Sequence, residues 1–157
     1  MAGVTRLINA LSEIAVPEPG DAFPVECDLG HILKDFFSRD NIKRWMVEMN
    51  QDQLYKLMVN RNGVHIAHYA ERTLKRKMRD GKPYPYYSYY ETGRTHDSLV
   101  VIADDDTVGV YLDTDAPDYS KFLEQSAWGL TDESFDELMP DMRDAVVDGI
   151  RTYLNNG

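Results

Sequence analysis

A short segment near the middle of the chain excludes a continuous helix or strand at that point. Residues 83–93 contain Pro83 and Pro85 and end at Gly93. Proline has no backbone N–H and its ring fixes φ, so neither a helix interior nor a central strand accommodates this segment. Glycine readily adopts a positive φ, which other residues rarely do. The chain must therefore change course here, with one set of elements before the segment and another after it.

The same segment is rich in tyrosine. Five of the ten tyrosines of the chain fall within seven positions, and these are Tyr84, Tyr86, Tyr87, Tyr89 and Tyr90. Tyrosine rings are favoured in protein interfaces, where the ring is buried and the hydroxyl stays hydrated, and they also stack on nucleobases. No RNA-binding or helix-turn-helix signature accompanies them, so we interpret the five residues as a protein interface.

Helical spacing of apolar residues dominates the chain before this segment. It predicts a helix over 4–15, a helical stretch over 32–49 with a break near 38–41, and a long helix over about 51–80. Asn50 and Gln53 are expected to cap the long helix. Glycine costs about 1 kcal/mol relative to alanine in a helix interior, so we expect either one helix that tolerates Asn62-Gly63 or two helices with a tight break there. The apolar face of this helix would carry Leu54, Leu57, Met58, Ala67, Ala70, Leu74 and Met78.

The pattern changes after the tyrosines. Residues 98–103 and 108–112 are predicted to form a hairpin around the polar turn 104–107. A short helix over 119–125 follows, and the last helix begins near Pro140, because a first helical position does not need the missing N–H. Its apolar stripe consists of Met142, Ala145, Val146, Ile150, Tyr153 and Leu154.

This order of elements predicts an α+β fold. We expect a small antiparallel sheet, formed by the hairpin, to pack against a long helix and a C-terminal helix. Residues 1–49 would be an N-terminal helical extension, and residues 50–157 the α+β domain.

The charge of the chain is distributed unevenly. The net charge is −10, yet residues 61–100 carry +4 and residues 101–157 carry −11. The positive charge is concentrated at Arg72, Lys75, Arg76, Lys77, Arg79 and Lys82. A chain this acidic is a poor general binder of nucleic acid. Residues 72–82 nevertheless leave open an alternative function, that of a small nucleic-acid-binding or processing protein.

Cysteine content and hydropathy limit the possible environments. The single cysteine, Cys27, excludes an internal disulfide and fits a reducing compartment. We expect no secretory signal and no membrane partner, because no apolar run is long enough. His65 and His68 could bind zinc together with Cys27, but a pair of histidines three residues apart is weak support for a metal site.

His96, Asp97 and Ser98 form a sequence that invites a catalytic interpretation. Neighbouring residues on a strand point to opposite faces, so three adjacent residues make a poor triad. No glycine-framed serine and no glycine-rich phosphate loop accompanies them. We therefore expect polar residues at the entrance to a strand, no catalytic centre, and no cofactor.

A calcium loop is the second chemical possibility. Asp113, Asp115 and Glu124 match its positions 1, 3 and 12. Position 5 is Pro117, which has no side-chain oxygen, and position 6 is Asp118 where the loop requires glycine. The sequence therefore predicts no EF-hand, and we expect no metal site.

A resemblance to a known family rests on the order of features. A long helix, a link with prolines, and Thr92-Gly93-x-x-x-x-Ser98 lead into the hairpin. A segment with Tyr119, Phe122 and Glu124 follows, and a helix headed by proline closes the chain. This order resembles the gene-product-ten-like neck or tail-completion proteins of tailed bacteriophages, over about residues 50–157.

The resemblance implies a structural virion protein without enzymatic activity. Such a protein is made in the host cytoplasm and assembles as a homo-oligomeric ring, a hexamer or one matched to a dodecamer, at the head–tail junction. Its partners would be other head–tail connector and tail proteins, and genomic DNA would pass through its channel. In this interpretation Gly93 supplies a backbone angle that other residues avoid, and Ser98 holds a backbone group at the start of the strand.

Overall fold

The structure, a computed structural model, describes residues 29–103, 108–114, 116 and 127–156. The elements in this part of the chain are α1 (Leu29–Ser38), α2 (Asp40–Asp52), a π-helix (Gln53–Leu57), α3 (Glu71–Arg79), α4 (Arg94–Asp97), β1 (Leu99–Ala103), β2 (Val108–Leu112), α5 (Asp132–Asp136) and α6 (Met139–Asn156). The α+β class predicted from the sequence is confirmed. None of these helices is long and apolar enough to cross a membrane.

Several expectations lie outside the described residues. They are the helices over 4–15 and 119–125, the turn 104–107, and the motif residues Tyr119, Phe122 and Glu124. Cys27, and with it the zinc interpretation that needed it, also lies outside them.

The hairpin forms one layer of the core. Strands β1 and β2 pair antiparallel, with Leu99 opposite Leu112 and Ala103 opposite Val108. Alternate residues face inwards, and the inner face packs on α2. The buried core residues include Phe36, Met46, Leu54, Leu99, Val110, Leu138 and Met142. Apolar residues from both ends of the described chain therefore meet beneath a single small sheet.

Helices α1 and α2 join the core as a bent pair. The break predicted near 38–41 is confirmed, since Arg39 is extended between them with ψ of 132°. Helix α1 packs against α6, and α2 runs without interruption through residues 49 and 50, where the sequence suggested a domain boundary. Residues 29–49 thus share one core with the hairpin.

The last two described helices, α5 and α6, begin with residue types that favour the start of a helix. Helix α5 is capped by Thr131, whose Oγ1 accepts a hydrogen bond from the Ser134 backbone N–H. Helix α6 begins at Met139, as the proline signal predicted, and it buries Met142 and Val146 completely. Tyr153, which the predicted stripe includes, is exposed.

The long helix expected over 51–80 is wrong, both as one helix and as two helices with a tight break at Asn62-Gly63, because residues 58–70 are not helical. Helix α2 ends at Asp52, a π-helix follows, and Met58 takes a left-handed conformation with φ of 54°. The Asn60 side chain then accepts hydrogen bonds from the backbone N–H groups of Asn62 and Val64, and Gly63 adopts φ of 72°. Asparagine and glycine favour such a turn over a helix, and here their local chemistry outweighs the apolar periodicity. Of the predicted apolar face, Leu57, Ala67, Ala70 and Met78 are exposed.

The helix cap expected at Asn50 and Gln53 is also wrong, because both side chains bond to a segment that is distant in sequence. Both side chains are buried, and both donate to the carbonyl oxygen of Gly129, at 2.8 Å from Asn50 and 3.1 Å from Gln53. The Gln53 carbonyl oxygen also accepts a hydrogen bond of 3.0 Å from the Thr131 backbone N–H. These contacts form an amide clamp, which fixes the end of α2 to the segment that leads into α5.

The amide clamp generates a stability prediction. Replacing Gln53 with leucine keeps the volume but leaves the buried Thr131 N–H without its partner. We expect the free energy of unfolding to fall by about 2 kcal/mol in urea denaturation, the cost of one buried unpaired donor. The control Lys56→Leu, in the same π-helix but exposed, should change it by less than about 0.5 kcal/mol. Equal effects of the two substitutions would contradict a stabilising role of the clamp.

Candidate interaction surface

The tyrosine segment pairs with the chain just before α3. Tyr87 donates its backbone N–H to the Ala67 carbonyl at 2.8 Å, and Tyr69 donates to the Pro85 carbonyl at 3.0 Å. His68 lies opposite Tyr86 in this short antiparallel pairing. The segment is therefore held by backbone hydrogen bonds to residues 67–69 rather than by the hairpin, and the Tyr84–Pro85 peptide within it is cis.

Aromatic contacts reinforce this pairing. The His65 and Tyr86 rings stack in parallel, with centroids 3.8 Å apart and planes inclined by 3°. His68 packs on Tyr86 at 4.3 Å, and Tyr69 packs on Tyr87 at 4.5 Å. The two histidines that the sequence offered as a weak metal pair are thus neighbours of one tyrosine ring. Among the residues that the structure describes, no group of three or more His, Cys, Asp or Glu side chains could hold a metal ion.

The five tyrosines divide into anchoring and exposed residues. Tyr89 packs on Trp128 at 5.2 Å, and Tyr90 contacts Tyr55 edge to face at 4.8 Å. Tyr86 is half-buried in its stack. Tyr84 and Tyr87 are 43% and 37% exposed. Part of the segment therefore fastens it to the protein, and the other part presents aromatic surface to the solvent.

A buried lysine fixes the far end of the segment. Lys77 is only 2% exposed, and its Nζ donates to the Tyr90 carbonyl oxygen at 2.7 Å. The same ammonium group lies 3.3 Å from a Glu91 carboxylate oxygen and 4.6 Å from the centre of the Tyr69 ring. Sequence reasoning counted Lys77 among the surface cations. The sequence did offer one signal, because Lys77 shares a helix face with Thr73 and Leu74, which are less polar than the other residues of α3 before it and are half-buried in the structure.

The remaining cations of α3 and its C-terminal extension are largely paired. Arg76 and Lys82 approach the same Glu91 carboxylate at 3.2 and 3.1 Å. The hydrogen bond from Lys82, together with that from Lys77, lowers the pKa of Glu91 despite the opposing effect of desolvation. Two further members of the patch, Lys75 and Arg79, pair with Glu71 and Asp80, respectively. The positive patch seen in the sequence is thus partly neutralised in the fold.

The Thr92–Ser98 motif connects the tyrosine segment to β1. Gly93 adopts φ of 88°, in the left-handed region expected for it, and precedes the single turn of α4. Ser98 donates its hydroxyl to the Thr95 carbonyl oxygen at 2.9 Å, a backbone contact of the kind anticipated for it. The motif therefore turns the chain from the tyrosine segment into the hairpin.

His96, Asp97 and Ser98 lie at the entrance to a strand, as expected, since β1 begins at Leu99, but they form a helical turn and its cap rather than extended backbone. His96 and Asp97 belong to α4, and Ser98 follows it as the C-terminal cap. The His96 Nε2–H donates to the Ser88 carbonyl oxygen at 2.8 Å, and the Ser98 hydroxyl is bonded to backbone as well. Burial lowers the pKa of His96, against smaller raising effects of this hydrogen bond and of Asp97. In this geometry His96 holds Ser88 and the tyrosine segment in place.

The chain was compared with protein-family models, curated proteins and solved structures, and none of the three comparisons gives a match.

The buried lysine yields a matched pair of substitutions on α3. Lys77→Met removes the donor to Tyr90 and one partner of Glu91, whereas Lys75→Met removes a lysine that is exposed on the same helix. We expect Lys77→Met to lower the free energy of unfolding by about 2 kcal/mol, since hydrogen bonds that involve a charged group contribute about 1.5–3 kcal/mol. Lys75→Met should cost less than about 0.5 kcal/mol. Equal losses in urea titrations would contradict the anchoring role of Lys77.

The pKa of His96 predicts a dependence of stability on pH. Because the pKa of His96 is lower in the folded protein than the ordinary value of 6.5, His96 binds a proton more tightly in the unfolded chain. The contribution is absent above about pH 6.5 and destabilises the fold progressively as pH falls below it. Urea titrations between pH 7.5 and 5.5 should show a steeper loss for the unaltered protein than for His96→Gln, whose amide can still donate to Ser88. Parallel losses would rule out this role for His96.

Proposed function

We propose that this chain is a structural protein of a tailed-bacteriophage virion, without enzymatic activity. It assembles as a ring at the head–tail junction, as a neck, tail-completion or tail-terminator component that joins the capsid connector to the tail. The observation that supports this most directly is the order of elements around Gly93. A tyrosine segment turns at this glycine into a hairpin, and a helix with Pro140 in its first turn closes the fold.

The geometry of the tyrosine segment suits a protein interface. Tyrosine is enriched among the residues that dominate binding energy, and a rigid contact segment loses little conformational entropy on association. Lys77 and His96 fix the backbone of the segment from within the protomer, while Tyr84 and Tyr87 remain exposed. The exposed rings are therefore presented in a fixed arrangement by a backbone that is already ordered.

The alternative, a nucleic-acid-binding protein acting through residues 72–82, draws less support from the fold. Exposed cations bind phosphate by displacing counterions. Lys75, Arg76 and Arg79 already have carboxylate neighbours within 3.2 Å, so much of their charge is compensated. We therefore prefer the assembly function.

The assembly function predicts how exposed tyrosines affect self-association. The purified protein should form closed rings, visible by negative-stain electron microscopy and as one large species in sedimentation velocity. The double substitution Tyr84→Ser/Tyr87→Ser should weaken association by about 10- to 100-fold, the loss expected from one or two interface anchors. Tyr153→Ser, at an exposed tyrosine on α6, is the matched control and should leave association unchanged.

The possible outcomes test the ring and the role of the exposed tyrosines separately. A protein that remains monomeric at all accessible concentrations would count against the ring. If the Tyr84→Ser/Tyr87→Ser variant still forms rings, the ring proposal holds and the proposed role of the exposed tyrosines in association is rejected. The unfolding free energy of each variant shows whether its fold has been preserved.

A further inference from the structure

The register of the hairpin determines which backbone groups lie on its two outer edges. The Asp113 backbone N–H donates to the Ser98 carbonyl oxygen at 2.7 Å. Antiparallel pairs alternate between hydrogen-bonded and non-bonded, so the N–H groups of Val100 and Ile102 point towards β2. Those of Val101 and Ala103 point away from it, and no other described residue forms a strand or a backbone hydrogen bond with them. Within the described residues, one edge of β1 therefore presents unpaired backbone groups.

This edge lacks the features with which proteins usually protect exposed strands. Natural edge strands carry charged residues, proline or bulges, which prevent pairing with another chain. Strand β1 reads Leu-Val-Val-Ile-Ala, and all five of its residues pair with β2 in continuous register. The composition of β1 therefore favours an edge that is covered in the assembled protein.

An open groove runs along this edge. It lies between α2 and β1, has a volume of about 470 Å³, and is lined by Lys43, Arg44, Val47, Glu48, Gln51 and residues 99–101. The inner-face side chains of an added strand would rest on the α2 wall. Of the three charged residues in this lining, two are basic and one is acidic. The groove therefore accepts an extended segment and slightly favours one of negative charge.

The opposite edge of the same hairpin is the complementary surface. By the same register, the outward backbone groups of β2 belong to Val108, Val110 and Leu112, and no other strand of the described chain pairs with them. The last residue of β2 is followed by the exposed Asp113, a carboxylate that suits the two cations of the groove. The β1 edge thus borders a groove with two cations and one carboxylate, and the β2 edge is followed by a carboxylate.

We infer that the β1 edge of one copy pairs with the β2 edge of the next, so that the hairpins join in a sheet that crosses the subunit boundaries. Each copy then offers one edge and accepts another, which is a heterologous contact, the type from which rings are built when the rotation between copies closes. The inference rests on the proposed ring and deepens it by naming the contact.

Hydrogen exchange tests the contact without altering the chain. In dilute monomer, the Val101 and Ala103 amides should exchange rapidly, while Val100 and Ile102 are protected by β2. In the concentrated oligomer, Val101 and Ala103 should become protected, together with the outward amides of β2. Continued rapid exchange of Val101 and Ala103 in the oligomer would reject the strand pairing and leave the ring proposal intact. Absence of any oligomer would reject both.

Proline substitutions then test which edge meets which. Val101→Pro removes an N–H that faces away from β2, and Val108→Pro does the same at the first residue of β2, where proline is tolerated. Each variant alone should associate at least about tenfold more weakly than the unaltered protein. Val101→Thr, which keeps the N–H, is the control and should associate normally.

Mixing the two proline variants gives the decisive result. Val101→Pro retains a usable β2 edge and Val108→Pro retains a usable β1 edge, so an equimolar mixture should form a heterodimer and no ring. Sedimentation velocity distinguishes these species, and the Val100 and Ile102 amides report whether each hairpin has folded. A mixture that stays monomeric while both hairpins are intact would overturn the inferred pairing of β1 with β2.

Discussion

Two buried amides, Asn50 and Gln53, determine how the described chain closes on itself. Both bind the carbonyl of Gly129, 79 and 76 residues away in sequence, and Gln53 also accepts from the backbone of Thr131. Because the alternative for these groups is burial without partners, the clamp fixes the position as well as the proximity of the two segments. Helix α2 can then support β1 on one side while α5 and α6 close the core on the other.

A second set of buried polar contacts fixes the tyrosine segment to the rest of the protein. Regular secondary structure cannot hold a segment with two prolines and a left-handed glycine, so side chains must do so. Lys77 reaches the carbonyl of Tyr90 from α3, and His96 reaches that of Ser88 from α4. Both donors are almost completely buried, so water does not compete strongly for them. The fixed course of the segment explains how some of its rings can stay exposed while the backbone remains ordered.

How far the sequence predicted this fold depended on whether the signal was local. The hairpin, the break between α1 and α2 and the start of α6 were predicted because periodicity, glycine and proline act within a few residues. The long helix failed because Asn60 and Gly63 form a turn, after which residues 67–69 pair with the tyrosine segment across 18 positions. Asn50, Gln53 and Lys77 were misread because their partners are distant in sequence or are backbone groups. Polar residues of these types usually lie on the surface, so nothing local marks them as buried.

Assembly into a ring places its own requirement on the surface of the protomer. A ring of identical copies needs two different surfaces on each protomer, whereas a twofold dimer needs one surface that matches itself. A hairpin of two strands has two chemically distinct edges, and here one borders a groove with Lys43, Arg44 and Glu48 while the other is followed by the exposed Asp113. Since β1 is held against α2, and α2 is held by the amide clamp, its edge keeps a constant orientation relative to the rest of the protomer. A repeated contact closes into a ring only if this orientation is constant and the rotation between successive copies completes a full turn.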